Sequence, residues 1–120
     1  MEVIVTDEFL AWYQDPKLDE KVHDAARDIV ELLEQEGVTL KFPYQSALNG
    51  SKHGCRELRK SAGRHELRIA YNFDTNRDAV VLLAGDKGGD DRFYEWFVPK
   101  ADMLWEQYVE ELKTLRKESK

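Results

Sequence analysis

A single cysteine, Cys55, stands in a chain of 120 residues. One thiol leaves no partner for an intramolecular disulfide and too few ligands for a thiolate metal cluster. Long apolar runs are also missing: no stretch approaches the roughly 18 residues that a membrane-crossing helix needs. The opening residues, Met1-Glu-Val-Ile-Val-Thr-Asp7, offer no basic start and no small-residue cleavage site, so secretion is not expected and the chain reads as cytoplasmic. Familiar ligand motifs are absent too. Gly85-Asp-Lys-Gly-Gly89 lacks the spacing and the Lys-Ser/Thr ending of a phosphate-cradling P-loop. Asp86, Asp90 and Asp91 do not follow a calcium loop, and no His/Cys spacing suggests zinc. No Gly-x-Ser-x-Gly elbow presents a nucleophile. No metal and no cofactor are expected, so an enzyme built on this sequence would work through positioned cationic groups.

What is present is charge, unevenly placed. The net charge is −6, which on its face argues against a nucleic-acid partner. Residues 1–48 carry 4 basic against 11 acidic side chains, residues 49–68 carry 6 against 2, and residues 69–120 carry 8 against 11. One short segment, holding Lys52, Arg56, Arg59, Lys60, Arg64 and Arg68, is therefore basic inside an acidic protein. Two readings stand side by side: a solvated, arginine-rich strand edge, or a local anion site whose acidic surroundings discourage indiscriminate binding.

Periodicity places these groups on a fold. Residues 2–6 form a short β-branched strand. Thr6, Asp7 and Glu8 suit a helix start ahead of Phe9, Leu10, Trp12 and Tyr13. Asp15-Pro16 signals a helix restart. Leu18, Val22, Ala25, Ile29, Leu32 and Leu33 then recur at helical spacing until Gly37. Residues 38–54 read as an irregular connection. Strands are expected at about 55–61, 65–74 and 79–85; the last is apolar throughout, as a strand covered on both faces would be. A final helix is expected after Pro99, with Leu104, Tyr108, Leu112 and Leu115 on one stripe. The order is β-α-α-β-β-β-α, an α+β fold of a single domain over residues 1–120, with no internal repeat.

The hairpin inside the basic segment carries the chemistry. Gly63-Arg64 suits a two-residue type II′ turn. Such a turn sets Ala62 opposite His65, Lys60 opposite Leu67, Leu58 opposite Ile69 and Arg59 opposite Arg68. Leu58 and Ile69 face the core, and the two arginines project together from the other face. Like charges across a hairpin cost up to about 1 kcal/mol. A shared anion would offset this, because guanidinium forks match phosphate oxygens; alternatively Glu57 and Glu66 neutralise the pair diagonally. A longer turn would slip the register and separate the arginines. His53 and His65 flank the segment and titrate near neutrality, as proton carriers or as plain exposed side chains. Lys87, after the last strand, either reaches the same face or serves loop solubility.

The pieces Phe9-Leu-Ala-Trp12, Leu48-Asn-Gly-Ser51, Glu57-Leu58-Arg59, Arg68-Ile-Ala-Tyr71, Val81-Leu-Leu-Ala-Gly-Asp-Lys87, Tyr94 and Ala101-Asp102 occur in an order and spacing that resembles the HigB-type, phage-derived branch of the RelE/ParE toxin superfamily. The resemblance implies a twisted, mainly antiparallel sheet backed by helices, with a concave basic face that enters the ribosomal A site. It implies metal-independent mRNA cleavage, in which a ribose 2′-hydroxyl attacks the adjacent phosphate. That chemistry needs a base, an acid and cations for the developing charge. By the same resemblance Arg59, Arg68 and Lys87 are the candidate catalytic groups. Lys52, His53, Arg56, Lys60, Arg64 and Tyr94 are candidates for RNA binding; Tyr94, with Phe93 and Trp96, would either stack on a base or pack under the last helix. The implied partners are a HigA-like helix-turn-helix antitoxin, the ribosome and mRNA. No membrane is involved, and DNA is met only through the antitoxin complex. The net acidity departs from the basic character of many such toxins. It keeps open two alternatives on the same fold: a ParE-like gyrase inhibitor and a non-toxic binding module.

Overall fold

The computed structural model describes residues 1–118. Strand β1 (Val3–Val5) leads into helix α1 (Asp7–Tyr13). The Thr6 side chain accepts the Phe9 N–H at 3.0 Å and donates to the Leu82 carbonyl at 2.7 Å, so one hydroxyl caps the helix and ties it to the sheet.

Helix α2 spans Glu20–Glu36 and is capped by Asp19, whose carboxylate accepts the Lys21 N–H at 2.8 Å. The restart expected at Pro16 lies four residues too early. The Asp15 carboxylate accepts the Lys17 N–H and the Asp15 carbonyl accepts the Leu18 N–H. These bonds commit Asp15 to a turn and leave the capping role to the next aspartate. Gly37, at φ 56°, closes the helix.

The stretch read as irregular contains a further strand, β2 (Gln45–Ala47), followed by β3 (Arg56–Ala62), β4 (His65–Phe73) and β5 (Ala79–Asp86). Three residues are too few to show an alternation, so β2 exists because β3 offers it an edge, not because its own sequence demands one. The sheet order is β1-β5-β4-β3-β2, with β1 parallel to β5 and the other pairs antiparallel. This is an α+β, RelE-like architecture with one strand more than the sequence predicts.

Helices α1 and α2 cover one face of the sheet through Phe9, Val22, Ile29 and Leu33 against Leu58, Leu67, Ile69 and Tyr71. The other face packs against α3 (Phe93–Glu118), where Phe93, Phe97, Ala101 and Leu104 meet Ala70, Val80 and Leu82. Strand β5 is buried on both sides, as its unbroken apolar run requires. Helix α3 starts six residues before Pro99 and carries the proline inside it. Proline removes the bond that Glu95 would accept, yet Phe93 and Phe97 are fully buried. Burial of two phenylalanines, each worth roughly 1.5–3 kcal/mol, outweighs one lost bond.

Gly85 makes that docking possible. A methyl group there would sit 2.8 Å from a Phe93 ring carbon and 3.0 Å from the Trp96 ring. The close approach brings the first turn of α3 down onto β4 and β5, with Tyr94 beside β3.

Candidate functional site

The β3–β4 hairpin turns at Gly63-Arg64 in two residues, with Gly63 at φ 62°. Its register pairs Arg59 with Arg68, Leu58 with Ile69 and Ala62 with His65, as the turn chemistry predicts. Glu57, Arg59 and Ser61 from β3 and Glu66, Arg68 and Ala70 from β4 share the sheet face on which α3 lies, because strand side chains alternate. Helix α3 covers the β5 side of that face and leaves the β3 side open.

The two arginines have different environments. Arg68 is 5% exposed and Glu57 also 5%. Arg68 Nε lies 3.3 Å from Glu57 Oε1, and its Nη1 lies 3.7 Å from Glu66 Oε2 and donates to the Leu67 carbonyl at 2.9 Å. Nε is close enough for charge attraction but has no aligned acceptor. Tyr94 donates its hydroxyl to Glu57 Oε1 at 2.7 Å. Burial, followed by the hydrogen bond to Glu57, pushes the Tyr94 phenol above its ordinary value, so it stays a proton donor. Glu66 accepts two hydrogen bonds from the Ser61 hydroxyl, at 3.0 and 2.8 Å. The diagonal neutralisation considered for the hairpin is therefore real, and it falls on Arg68.

Arg59 has no carboxylate partner among the described residues; its guanidinium lies 5.3 Å from the centre of the Phe42 ring. It stands between two hollows. One, of about 450 Å³, is lined by Ser46, Asn49, Glu57 and Tyr94. The other, of about 300 Å³, is lined by Pro43, Tyr44, Lys60, Ser61, Glu66 and Arg68. Lys87 holds its amino group 5.5 Å from the centre of the Tyr94 ring, and its backbone N–H extends the β4–β5 ladder to Glu66. Arg59, Arg68, Lys87 and Tyr94 thus gather around one groove, whereas Lys60, with the strand parity of Arg56 and Leu58, only borders the smaller hollow.

The remaining candidates stand elsewhere. His53 hydrogen-bonds Glu106 at 2.8 Å, and its carbonyl accepts from Asn72. Asn72 lies four residues along β4 from Arg68, about 13 Å at strand rise. Lys52 is exposed and gives its backbone N–H to Asp102. Arg56, on the α2 side by strand parity, is bound to Gln45 at 2.7 Å. His65 bonds Asp86 at 2.6 Å and lies 3.7 Å from Asp19 at the start of α2. Arg64 is exposed at the turn tip. Trp96 donates to Asp90, and Phe93 and Phe97 are core residues.

Sequence reasoning gave Glu57 a neutralising role only. Its place between Arg68 and Tyr94 also makes it a hydrogen-bond acceptor in the groove. The signal was available: β3 alternation puts Glu57 on the same face as Arg59, and puts Arg56 on the opposite one.

Comparisons with known proteins identify the family. Residues 16–106 match the family described as phage derived protein Gp49-like. Two proteins of Mycobacterium tuberculosis (strain ATCC 25618 / H37Rv) are similar. "Putative toxin HigB2" is 37% identical over 97 residues, which cover 79% of this chain and 47% of that protein. "Putative toxin HigB3" is 39% identical over 82 residues, 67% of this chain and 70% of that protein. The match therefore spans about half of HigB2. No solved structure matches significantly. With its hairpin register, five-stranded sheet and matched span, the chain belongs to the Gp49-like phage-derived family, in the HigB-type branch of the RelE/ParE toxin superfamily.

Proposed function

We propose that this protein is the toxin of a type II toxin–antitoxin pair and acts as a ribosome-dependent mRNA endonuclease, restrained by a HigA-like antitoxin. The observation that carries the reading is Arg59: an accessible guanidinium held opposite a second, carboxylate-locked arginine, with a tyrosine and a lysine facing the same groove. Such a groove suits a phosphodiester. The names of the relatives support the toxin role; the nuclease chemistry rests on the groove.

In this reading the RNA backbone lies along the groove with its scissile phosphate on Arg59. Glu57 takes the proton of the ribose 2′-hydroxyl, the 2′-oxygen bonds to phosphorus, and the bond to the 5′-oxygen breaks. Arg59 stabilises the negative charge that develops on the phosphoryl oxygens. Arg68 keeps Glu57 in place and adds to the positive potential. The leaving 5′-oxygen receives a proton from Tyr94, whose hydroxyl is a donor in this arrangement, or from Lys87 beside the Tyr94 ring. Dependence on the 2′-hydroxyl confines the reaction to RNA.

Inducing the chain without its antitoxin should arrest growth and cleave translated mRNA. Arg59→Ala should lower cleavage by about 10²–10³-fold, as loss of one donor to a developing oxyanion does. Intact mRNA in arrested cells would sink the nuclease reading. A second reading, a non-nucleolytic inhibitor that binds protein, draws on one observation: two carboxylates already occupy Arg68. Arrest with blocked DNA supercoiling and uncut mRNA would select a gyrase-directed inhibitor.

A further inference from the structure

Two large aromatics lie open to solvent beside the groove. Phe42 is 69% exposed and Tyr44 is 50% exposed, and both belong to the segment that leads into β2. They are not loose ends. The Tyr44 carbonyl accepts the Arg59 N–H at 2.9 Å, which fastens this segment to β3 at the arginine itself. The Arg59 guanidinium lies over Phe42. Pro43 and Tyr44 form one wall of the hollow of about 300 Å³ whose other walls are Arg59, Lys60, Ser61, Glu66 and Arg68. The Glu66 carboxylate, on a side chain 43% exposed, is bonded to Ser61 and paired with Arg68. The hollow therefore offers Tyr44 and aliphatic proline on one side, and on the other two arginines beside a carboxylate already paired to one of them. Proteins that hold single-stranded nucleic acid combine these two features: cations that follow the backbone and aromatics that stack on bases.

We propose that the Phe42-Pro43-Tyr44 segment is a nucleotide-stacking subsite, which holds one unpaired base of single-stranded RNA next to the phosphate bound by Arg59. The inference rests on the nuclease reading and deepens it. Tyr44 stacks on the base, while Phe42 backs the Arg59 guanidinium and keeps its fork turned to the backbone. The base in the hollow sits on the Lys60 side of Arg59, and the Glu57–Tyr94 side is left for the reacting ribose and leaving group. Tyr44 is thus a positioning residue. It selects which phosphodiester reaches Arg59 and takes no part in proton transfer. Stacking tolerates any base but favours the larger purines, so this subsite imposes a preference by ring area, without hydrogen-bond readout.

The test maps cleavage positions on mRNA in a reconstituted translation reaction, with the full chain and its variants. Tyr44→Ala should reduce cleavage about tenfold, within the range of a single base–aromatic stack, and flatten the base preference beside the cut. Tyr44→Phe should keep both rate and pattern. Phe42→Ala should reduce cleavage, and Phe42→Trp should restore it. Thermal melting checks that all four variants fold; both side chains are exposed, so their melting points should match the parent. Tyr44→Ala with the parent's rate and cleavage pattern overturns the subsite while leaving the nuclease intact. So does Tyr44→Ala that cleaves normally but escapes neutralisation by the cognate antitoxin, since that assigns the patch to a protein contact. Absence of cleavage by the parent chain removes the nuclease reading itself.

Discussion

At the residue scale the two hairpin arginines, alike in sequence, should respond differently to removal. Arg68 is buried against Glu57, so Arg68→Ala leaves a carboxylate in the interior with only the Tyr94 hydroxyl. Breaking one side of a buried pair costs about 3–5 kcal/mol, readable by urea denaturation. Arg59→Ala removes a half-buried group without a carboxylate partner among the described residues and should shift stability by less than about 0.5 kcal/mol. Loss of activity in the Arg68 variant therefore has to be corrected for unfolding, whereas in the Arg59 variant it reports chemistry. Asp102 makes a second residue-scale prediction. It accepts from the Ser51 hydroxyl at 2.6 Å and the Lys52 N–H at 2.9 Å. Burial acts to raise its pKa, but these bonds, with the nearby His53, outweigh burial and hold the carboxyl below its ordinary value. A depressed carboxyl stabilises the fold above its unfolded pKa and loses that contribution as pH falls through the folded one. Asp102→Asn should cost about 2 kcal/mol at neutral pH, and the gap to the parent should narrow on acidification. A gap that stays constant down to pH 3 would contradict this. Ser51 and Asp102, two pieces of the family resemblance, therefore anchor the 48–54 loop to α3 and are not part of the groove chemistry. From sequence they looked no different from Arg59 or Tyr94, because a loop and a helix 50 residues apart give no local sign of contact.

At the scale of elements, legibility followed the strength of local rules. The hairpin register could be read residue by residue because a two-residue glycine turn fixes all the later pairs. The α2 stripe was equally plain. Its start was missed by four residues because two aspartates compete to cap it, and only Asp19 is free once Asp15 closes its own turn. Strand β2 left no sign, being three residues long and held by its neighbour. The start of α3 was hidden by Pro99, a strong local breaker overruled by tertiary burial of Phe93 and Phe97. Tyr94 could be assigned to the groove only by resemblance, since its place depends on that helix start. Gly85→Ala tests the docking directly. The new methyl meets Phe93 at 2.8 Å, so the variant should lose about 1–3 kcal/mol by overpacking. It should also lose cleavage beyond what unfolding explains, because lifting α3 withdraws Tyr94 from Glu57. Normal activity in a folded Gly85→Ala protein would mean that the first turn of α3 does not hold the groove together.

For the whole molecule the question is how a chain of net charge −6 engages RNA. The groove presents few available cations: Arg59 and Lys87, with Arg68 already paired. For single strands each neutralised phosphate contributes about −0.7 to the slope of log K against log salt, so two contacts predict a slope of about −1.4. A titration of ribosome-bound mRNA engagement from low to moderate salt measures it; a slope near −6 would require cations outside the groove. The acidic side chains are sorted as well. Glu20, Asp28, Glu31, Glu34 and Glu36 are exposed on α2, which packs on the sheet face opposite the groove. The acidic side chains of α2 are thus set on the back of the sheet, across its thickness from the cations of the groove. In the field of a polyanion such a body is turned while still at a distance: approaches back-first are repelled and approaches groove-first are drawn in. Acidity then works as a rudder, trading overall attraction for correctly faced encounters.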